Sequence, residues 1–273
     1  MGNNMPKNAI IVGVARSGTS MTSSIFTKKG YFVTEDENED LRPADAYNPG
    51  GYWESETLIQ ENAKLFSAVG FPHDNTWMYD PISPAQADSI AALEPTDAHR
   101  NFVASYNKNS PWVWKDPRLC YTLGFWWPLL NPDSTAVILL KRDPEAIYQS
   151  FVRVKWREQT EAHRQETYER IRRHLAQAEK TVTAMNVPHI VVQYEDFKTQ
   201  PERVLAEINQ LFELDLRLQD LTYNDSYNHH SAIGRLGTAI DVLVSRLPVH
   251  WIKRIKRLTP TFLLKILYPE RYK

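Results

Sequence analysis

The chain has 273 residues, 42% of them hydrophobic and 24% charged, with a formal net charge of −1. Those values suit a soluble globular α/β protein and give no footing for a nucleic-acid partner. A single cysteine, Cys120, excludes an intramolecular disulfide and a Cys-rich zinc site, and no window approaches the ~18 apolar residues of a spanning helix.

Ala9 to Val12 is a short apolar run of the kind that forms a buried parallel strand. The chain then turns through Gly13 and Gly18 and enters a segment with Met21, Ile25 and Phe26 on one helical face. Strand, Gly-bearing turn and helix N-terminus make a phosphate cradle, because the first-turn N–H groups and the helix dipole point at an anion. The spacing is that of a P-loop, yet Thr19 and Ser20 follow the second glycine where a P-loop has Lys and Ser/Thr. The cation sits inside the loop instead, at Arg16. Such a loop still holds a phosphate but lacks one of the parts that transfer a γ-phosphoryl group.

Gly30 ends the helix, and Tyr31–Val33 is expected to form a second strand. The acidic run Glu35, Asp36, Glu37, Glu39, Asp40 reads mostly as a solvated loop and lacks the spacing of a calcium site. In Asn48-Pro49-Gly50-Gly51-Tyr52-Trp53-Glu54-Ser55 the Pro-Gly-Gly is a turn and Ser55 a helix cap. Glu54, pressed against Tyr52 and Trp53, is either a base with a raised pKa or only a residue suited to a helix start.

Pro72, Pro81, Pro84 and Pro95 punctuate two short helices, near Ala85–Leu93 and Asp97–Tyr106. Trp77, Met78 and Tyr79 suit a core or an acceptor pocket; His73 and His99 read as surface or structural. Trp112–Trp114 is strand-like, which puts Lys115 at a strand's C-terminal end, where α/β sheets bind ligands; Pro117 stops the strand and a helix begins at Leu119. The structural alternative for Lys115 is an ion pair with Asp116, but neighbouring strand residues point to opposite faces.

Ala136–Leu140 is a buried strand ending at Lys141 and Arg142, and Asp143-Pro144 reads as N-cap and first helical residue. Ser150 lies about two turns into that helix. Glu161 to Met185 reads as a long charged helix. His189–Val192 is the next strand, with Tyr194 at its end and a helix beginning at Pro201. The segment Asp220–Gly237 is polar and Gly-bearing; its paired His229 and His230 are poorly placed to share a metal ion. From Val242 to Lys273 there are eight basic residues and one acid, a net +7, which leaves −8 for residues 1–241. The plain reading is a helix with a solvated basic face; the sharper one is an amphipathic contact with anionic lipid, although Pro248 and Pro260 interrupt it.

Several of these blocks, in order and each at a strand end, resemble sulfotransferases that use 3′-phosphoadenylyl sulfate (PAPS), in particular a bacterial group. Arg16-Ser17-Gly18-Thr19-Ser20 resembles their 5′-phosphosulfate loop, Gly51-Tyr52-Trp53-Glu54 and Lys115-Asp116-Pro117-Arg118 resemble two further motifs, and Arg142 with Ser150 resembles the 3′-phosphate site. The resemblance implies Glu54, Lys115 and Arg16 as catalytic residues, and Arg16 to Ser20, Arg142, Ser150, Tyr194, Ser231 and Arg235 as nucleotide contacts. Relatives carry another nucleotide-binding arginine near Arg153 and Lys155, but Val154 occupies the expected position. The fold expected is a single domain over residues 1–273: a central, mostly parallel sheet with helices on both faces, a P-loop-like sulfotransferase fold. A sulfuryl group would pass from PAPS to a hydroxyl of a glycan, lipid or small alcohol, with no metal required. With no secretory signal read, the expected location is cytoplasmic, with peripheral contact on the inner membrane face if the basic segment binds lipid. The alternatives are a small-molecule kinase with a degenerate P-loop and a non-catalytic, membrane-associated nucleotide-binding protein.

Overall fold

A computed structural model describes residues 6–44, 48, 50–71 and 82–221. The apolar run near the N-terminus forms β1 (Asn8–Gly13), and all six of its residues are buried. Helix α1 (Thr19–Thr27) follows the Gly-bearing turn. Helix α2 (Glu56–Ala68) is capped by Ser55, whose hydroxyl accepts from the Leu58 N–H. The next pair, α3 (Pro84–Ala91) and α4 (Asp97–Asn107), matches the Pro-punctuated expectation; α3 starts with a Ser83/Gln86 capping box and a proline at its first residue.

Strand β2 (Val113–Lys115) leads through Pro117 into α5 (Leu119–Trp126). Strand β3 (Thr135–Lys141) leads through the Asp143 cap and Pro144 into α6 (Pro144–Arg153). The charged helix α7 (Glu161–Ala184) precedes β4 (His189–Gln193), a short α8 (Asp196–Thr199) and α9 (Pro201–Phe212). No helix among the described residues is long and apolar enough to cross a membrane.

The four strands are all parallel, in the order β2-β1-β3-β4, with Ala9 opposite Val113, Ile11 opposite Ile138 and Leu140 opposite Val192. Parallel strands need helices on both faces, and the strand residues divide accordingly. Ile10, Val12, Val137 and Leu139 pack with Phe66 of α2, Trp126 of α5 and Val182 of α7. Ala9, Ile11, Ile138 and Leu140 pack with Phe26 of α1 and Ile208 and Phe212 of α9. Since the strands share a direction, the loop after β1, Lys115, Arg142 and Tyr194 all emerge at one edge. That edge is where an open α/β sheet holds its ligand.

Two expectations are corrected in detail. Tyr31–Val33 makes a single parallel rung with the sheet, Phe32 beside Trp112, rather than a strand. The next carbonyl, that of Val33, accepts from the Tyr106 hydroxyl at 2.9 Å, which takes it out of any ladder. Strand β2 begins at Val113 rather than Trp112, because the Trp112 N–H donates to the Asn8 side chain at 3.1 Å.

Candidate active site

A cleft of about 570 Å³ opens at this edge, lined by residues from the β1 loop, the Asn48–Glu54 turn, the end of β2, Arg142, α6 and Tyr194. Among the described residues that line it, seven are lysine or arginine and one, Glu54, is a carboxylate. A concave site with that balance selects a ligand carrying several negative charges.

The floor is the turn into α1. Gly18 is the N-cap of α1, with φ of 99°, and no side chain caps the helix. A Cβ on Gly18 would lie 2.1 Å from the Tyr194 ring, so only glycine lets the aromatic ring close on the loop. Gly18, Thr19 and Ser20 line the cleft. Ser17 does not: it is 1% exposed, and a Cβ on Gly13 would stand 2.9 Å from its hydroxyl oxygen, on the inner side of the loop.

A first cluster of cations meets the loop through Arg16. The Arg16 Nε donates to the Ser150 hydroxyl at 3.0 Å, and Arg153 Nη2 approaches the same oxygen at 3.4 Å. A hydroxyl that accepts from two guanidinium groups keeps its own proton for an anion. Arg142 Nη1 donates to the Arg16 carbonyl at 2.8 Å, and its guanidinium lies 4.6 Å from the centre of the Tyr194 ring. Arg16 itself has φ of 67°, a left-handed conformation unfavourable to a side chain and common at sites where geometry is imposed by function.

A second cluster meets the loop through Ser20. The Lys115 ammonium, 3% exposed, donates to Glu54 Oε1 at 2.5 Å, to the Tyr52 carbonyl at 3.0 Å and to the Ser20 hydroxyl at 3.1 Å. Burial pushes the Lys115 pKa below the usual lysine range, opposed by the charge of Glu54. Arg42 Nη1 holds the other oxygen of Glu54 at 3.1 Å and stacks 4.4 Å from the centre of the Tyr52 ring. Glu54 is therefore held by two cations, not merely pressed against Tyr52 and Trp53 as the sequence suggested. Nor does Lys115 pair with Asp116. That carboxylate instead accepts from Asn62 at 2.8 Å and from Arg118 at 3.0 Å.

Arg42 reaches Glu54 because its loop is tied down. Asp40 accepts from Thr34, from Ser55 at 2.6 Å and from the Thr57 N–H at 2.7 Å. Burial works to raise its pKa, but the hydrogen bonds from Ser55, Thr34 and Thr57 outweigh it and hold the carboxyl below its ordinary value. The last acid of the run is thus a tether, unlike the solvated residues before it. Leu41 forms an antiparallel bridge with Ser55, and the Arg42 N–H donates to the Glu54 carbonyl at 2.9 Å.

The fold thus gathers Arg16, Gly18, Thr19, Ser20, Glu54, Lys115, Arg142, Ser150 and Tyr194 around one cleft. Ser231 and Arg235, the aromatics Trp77 and Tyr79, the histidines at 73, 229 and 230 and the basic segment 242–273 lie outside the described residues. Arg153 lines the cleft and Lys155 does not; Val154 is buried. His99 is structural: its ring stands 4.9 Å from that of Phe125 and its Nδ1 accepts from the Thr96 N–H at the start of α4. Trp126 and Trp127 are core, while Trp53, held at φ of 54°, lines the cleft. Arg42 and Arg118 were not assigned from sequence. Arg42 is hidden at the end of an acidic run, whereas Arg118 closes the Lys-Asp-Pro-Arg motif and only its role was missed. No group of three metal-ligating side chains occurs among the described residues.

A sequence model of the sulfotransferase family matches residues 8–219. No curated protein matches the chain. Among solved structures, the chain is similar to a sulfotransferase domain from the curacin biosynthetic pathway (16% identity, 85% of this chain and 83% of that one, TM-score 0.46). It is also similar to the sulfotransferase domain of the Synechococcus PCC 7002 olefin synthase (16%, 86% and 84%, TM-score 0.44). A third likeness is to a sulfotransferase from Mycobacterium tuberculosis (15%, 80% and 71%, TM-score 0.41).

Proposed function

This chain belongs to the sulfotransferase family, and on that premise we propose that it moves a sulfuryl group from PAPS to an acceptor hydroxyl, with Glu54 as base. The observation that carries this reading is the buried pair Lys115–Glu54 at 2.5 Å, set beside an uncapped helix start in a cleft of cations. A carboxylate, a buried ammonium and an anion cradle share one site.

The residues fit the donor. Its 5′ end belongs on the α1 start, with the N–H groups of Gly18 to Ser20 and the Arg16 guanidinium. Its 3′-phosphate belongs with Arg142 and Ser150, a forked charged donor and a hydroxyl able to bond one oxyanion group together. Tyr194, under the Arg142 guanidinium and against Gly18, closes that side. The donor supplies a sulfuryl group already attached to a good leaving phosphate.

The chain's own part is positioning, charge and one proton. Lys115 leaves Glu54 and turns toward the incoming negative charge. The buried ammonium thereby exchanges one anionic partner for another and is not left without a counter-charge. Glu54 Oε1, released, accepts the hydrogen bond and then the proton of the acceptor hydroxyl, while Arg42 keeps the carboxylate oriented through Oε2. Arg16 and Lys115 face the oxygens on which negative charge grows. Cations held in place before reaction stabilise that charge without reorganising.

The test is a thermal-shift titration with adenosine 3′,5′-bisphosphate, AMP and ATP–Mg²⁺. A metal-independent shift with the 3′,5′-bisphosphate alone, weakened ~10- to 100-fold in affinity by Arg142→Ala, is expected from the loss of one charge-assisted contact. A shift only with ATP–Mg²⁺ would overturn the donor assignment.

A further inference from the structure

The donor accounts for part of the cleft's positive charge. Arg16, Arg142 and Arg153 converge on Ser150 and the α1 loop, and Lys115 belongs to the transfer point. Lys28, Arg42 and Arg118 remain. Of these, Arg42 holds Glu54 itself and Arg118 stands at the start of α5, three residues after Lys115.

The placement of Arg118 is costly to build. Its backbone N–H and its Nη1 both donate to Asp116 Oδ1, at 3.1 and 3.0 Å. The Asp116 side chain has no exposure, and its other oxygen accepts from Asn62 at 2.8 Å. The Asn62 carbonyl oxygen in turn accepts from Thr122 at 2.7 Å and Trp126 at 2.8 Å. Asn62 and Thr122 are completely buried. A dry polar network of this kind is retained only when fully satisfied, and it fixes one geometry. Here it joins α2, the end of β2 and α5, and the group it aims into the cleft is the Arg118 guanidinium. Asp116 itself lies behind and does not line the cleft.

Arg42 has a different mounting with the same outcome. Its backbone is zipped to Glu54, its guanidinium lies on Tyr52, and its side chain is 39% exposed toward the cleft. A carboxylate, sulfate or phosphate on the acceptor would meet two guanidinium groups already anchored through Nη1, one on Glu54 and one on Asp116.

We propose that the acceptor carries an anionic group close to its reacting hydroxyl, and that Arg42 and Arg118 bind that group. The proposal rests on the sulfotransferase reading and adds the chemical class of the acceptor to it. It also links recognition to reaction. Arg42 keeps its Nη1 on Glu54 and meets the acceptor anion with its other donors, so one side chain serves both the base and the acceptor.

The test uses the whole chain saturated with adenosine 3′,5′-bisphosphate and three probes in isothermal titration: 4-hydroxybenzoate, its neutral isostere 4-hydroxybenzamide, and inorganic sulfate. The expected result is that 4-hydroxybenzoate binds about tenfold or more tightly than the amide, a charged hydrogen bond's worth. Arg118→Gln and Arg42→Gln should each remove most of that preference while leaving the bisphosphate affinity unchanged. Because Arg118→Gln strands a buried carboxylate, Arg118→Lys is the companion variant. It keeps a positive charge beside Asp116 and should restore the melting temperature and part of the preference. Equal binding of the two hydroxy compounds, a preference indifferent to both Gln variants, or no binding of either anion overturns the proposal. Failure of the bisphosphate itself to bind is seen before any probe is added and strikes the donor reading instead.

Discussion

The two cation clusters of the cleft meet different kinds of partner. Arg16 and Arg142 rest on a hydroxyl, a backbone carbonyl and an aromatic face, whereas Lys115 and Arg42 grip a carboxylate. The first arrangement holds its cations against the α1 loop, and the second holds them on a carboxylate. On the proposed function, one side of the site is a fixed binder and the other the reacting centre, and the Gly18–Ser20 turn touches both.

The contrast is broken most severely at Glu54. Glu54→Gln should lower kcat by about 10²- to 10⁴-fold, the usual contribution of a positioned base, while the affinity for adenosine 3′,5′-bisphosphate stays near wild type. The same change leaves Lys115 buried without its counter-charge, a loss of about 3–5 kcal/mol in unfolding free energy. Adding Lys115→Met to Glu54→Leu should recover much of that stability in denaturant unfolding, since a buried ion pair replaced by apolar groups is near neutral. A double variant no more stable than Glu54→Gln would mean that Lys115 does not depend on Glu54 for its counter-charge.

A smaller effect is expected on the turn between the clusters. Gly18→Ala places a methyl group 2.1 Å from the Tyr194 ring at a φ of 99°. Backbone strain alone should cost about 1–2 kcal/mol, and the displaced ring should weaken nucleotide binding as well. Adding Tyr194→Ala should restore part of the melting temperature, because it removes the clash but not the strain. No recovery in the double variant would show that the ring does not close on the loop.

The mildest change sharpens the fixed side. Ser150→Ala removes one hydroxyl shared by Arg16 and Arg153 and should weaken the 3′,5′-bisphosphate by about 3- to 10-fold, the worth of a single hydrogen bond, with kcat little altered. A kcat loss comparable with that of Glu54→Gln would place Ser150 in the reacting centre and erase the distinction between the two sides.

Much of the architecture was legible because it is written in near neighbours. The apolar runs of the parallel strands, the caps at Ser55 and Asp143 with Pro144 behind it, and the Gly-bearing turn into α1 each depend on residues a few positions apart. The sequence by itself determined the βα units and the family. It also determined that Arg16, Lys115, Arg142 and Tyr194 come at or just after strand ends, and hence that parallel strands bring them to one edge. Tertiary structure alone decided what those residues touch. The Lys115–Glu54 pair joins residues 61 positions apart, and the Arg16–Ser150 bond joins residues 134 apart. Arg42 enters the site only because Asp40 is tied to Ser55 and Thr57. Arg118 is aimed by a buried chain of hydrogen bonds that no local pattern announces. Local spacing specifies torsions and faces, which is why the frame could be read. A charge's partner depends on which distant elements pack beside it and how much water they exclude, and only the folded chain fixes that.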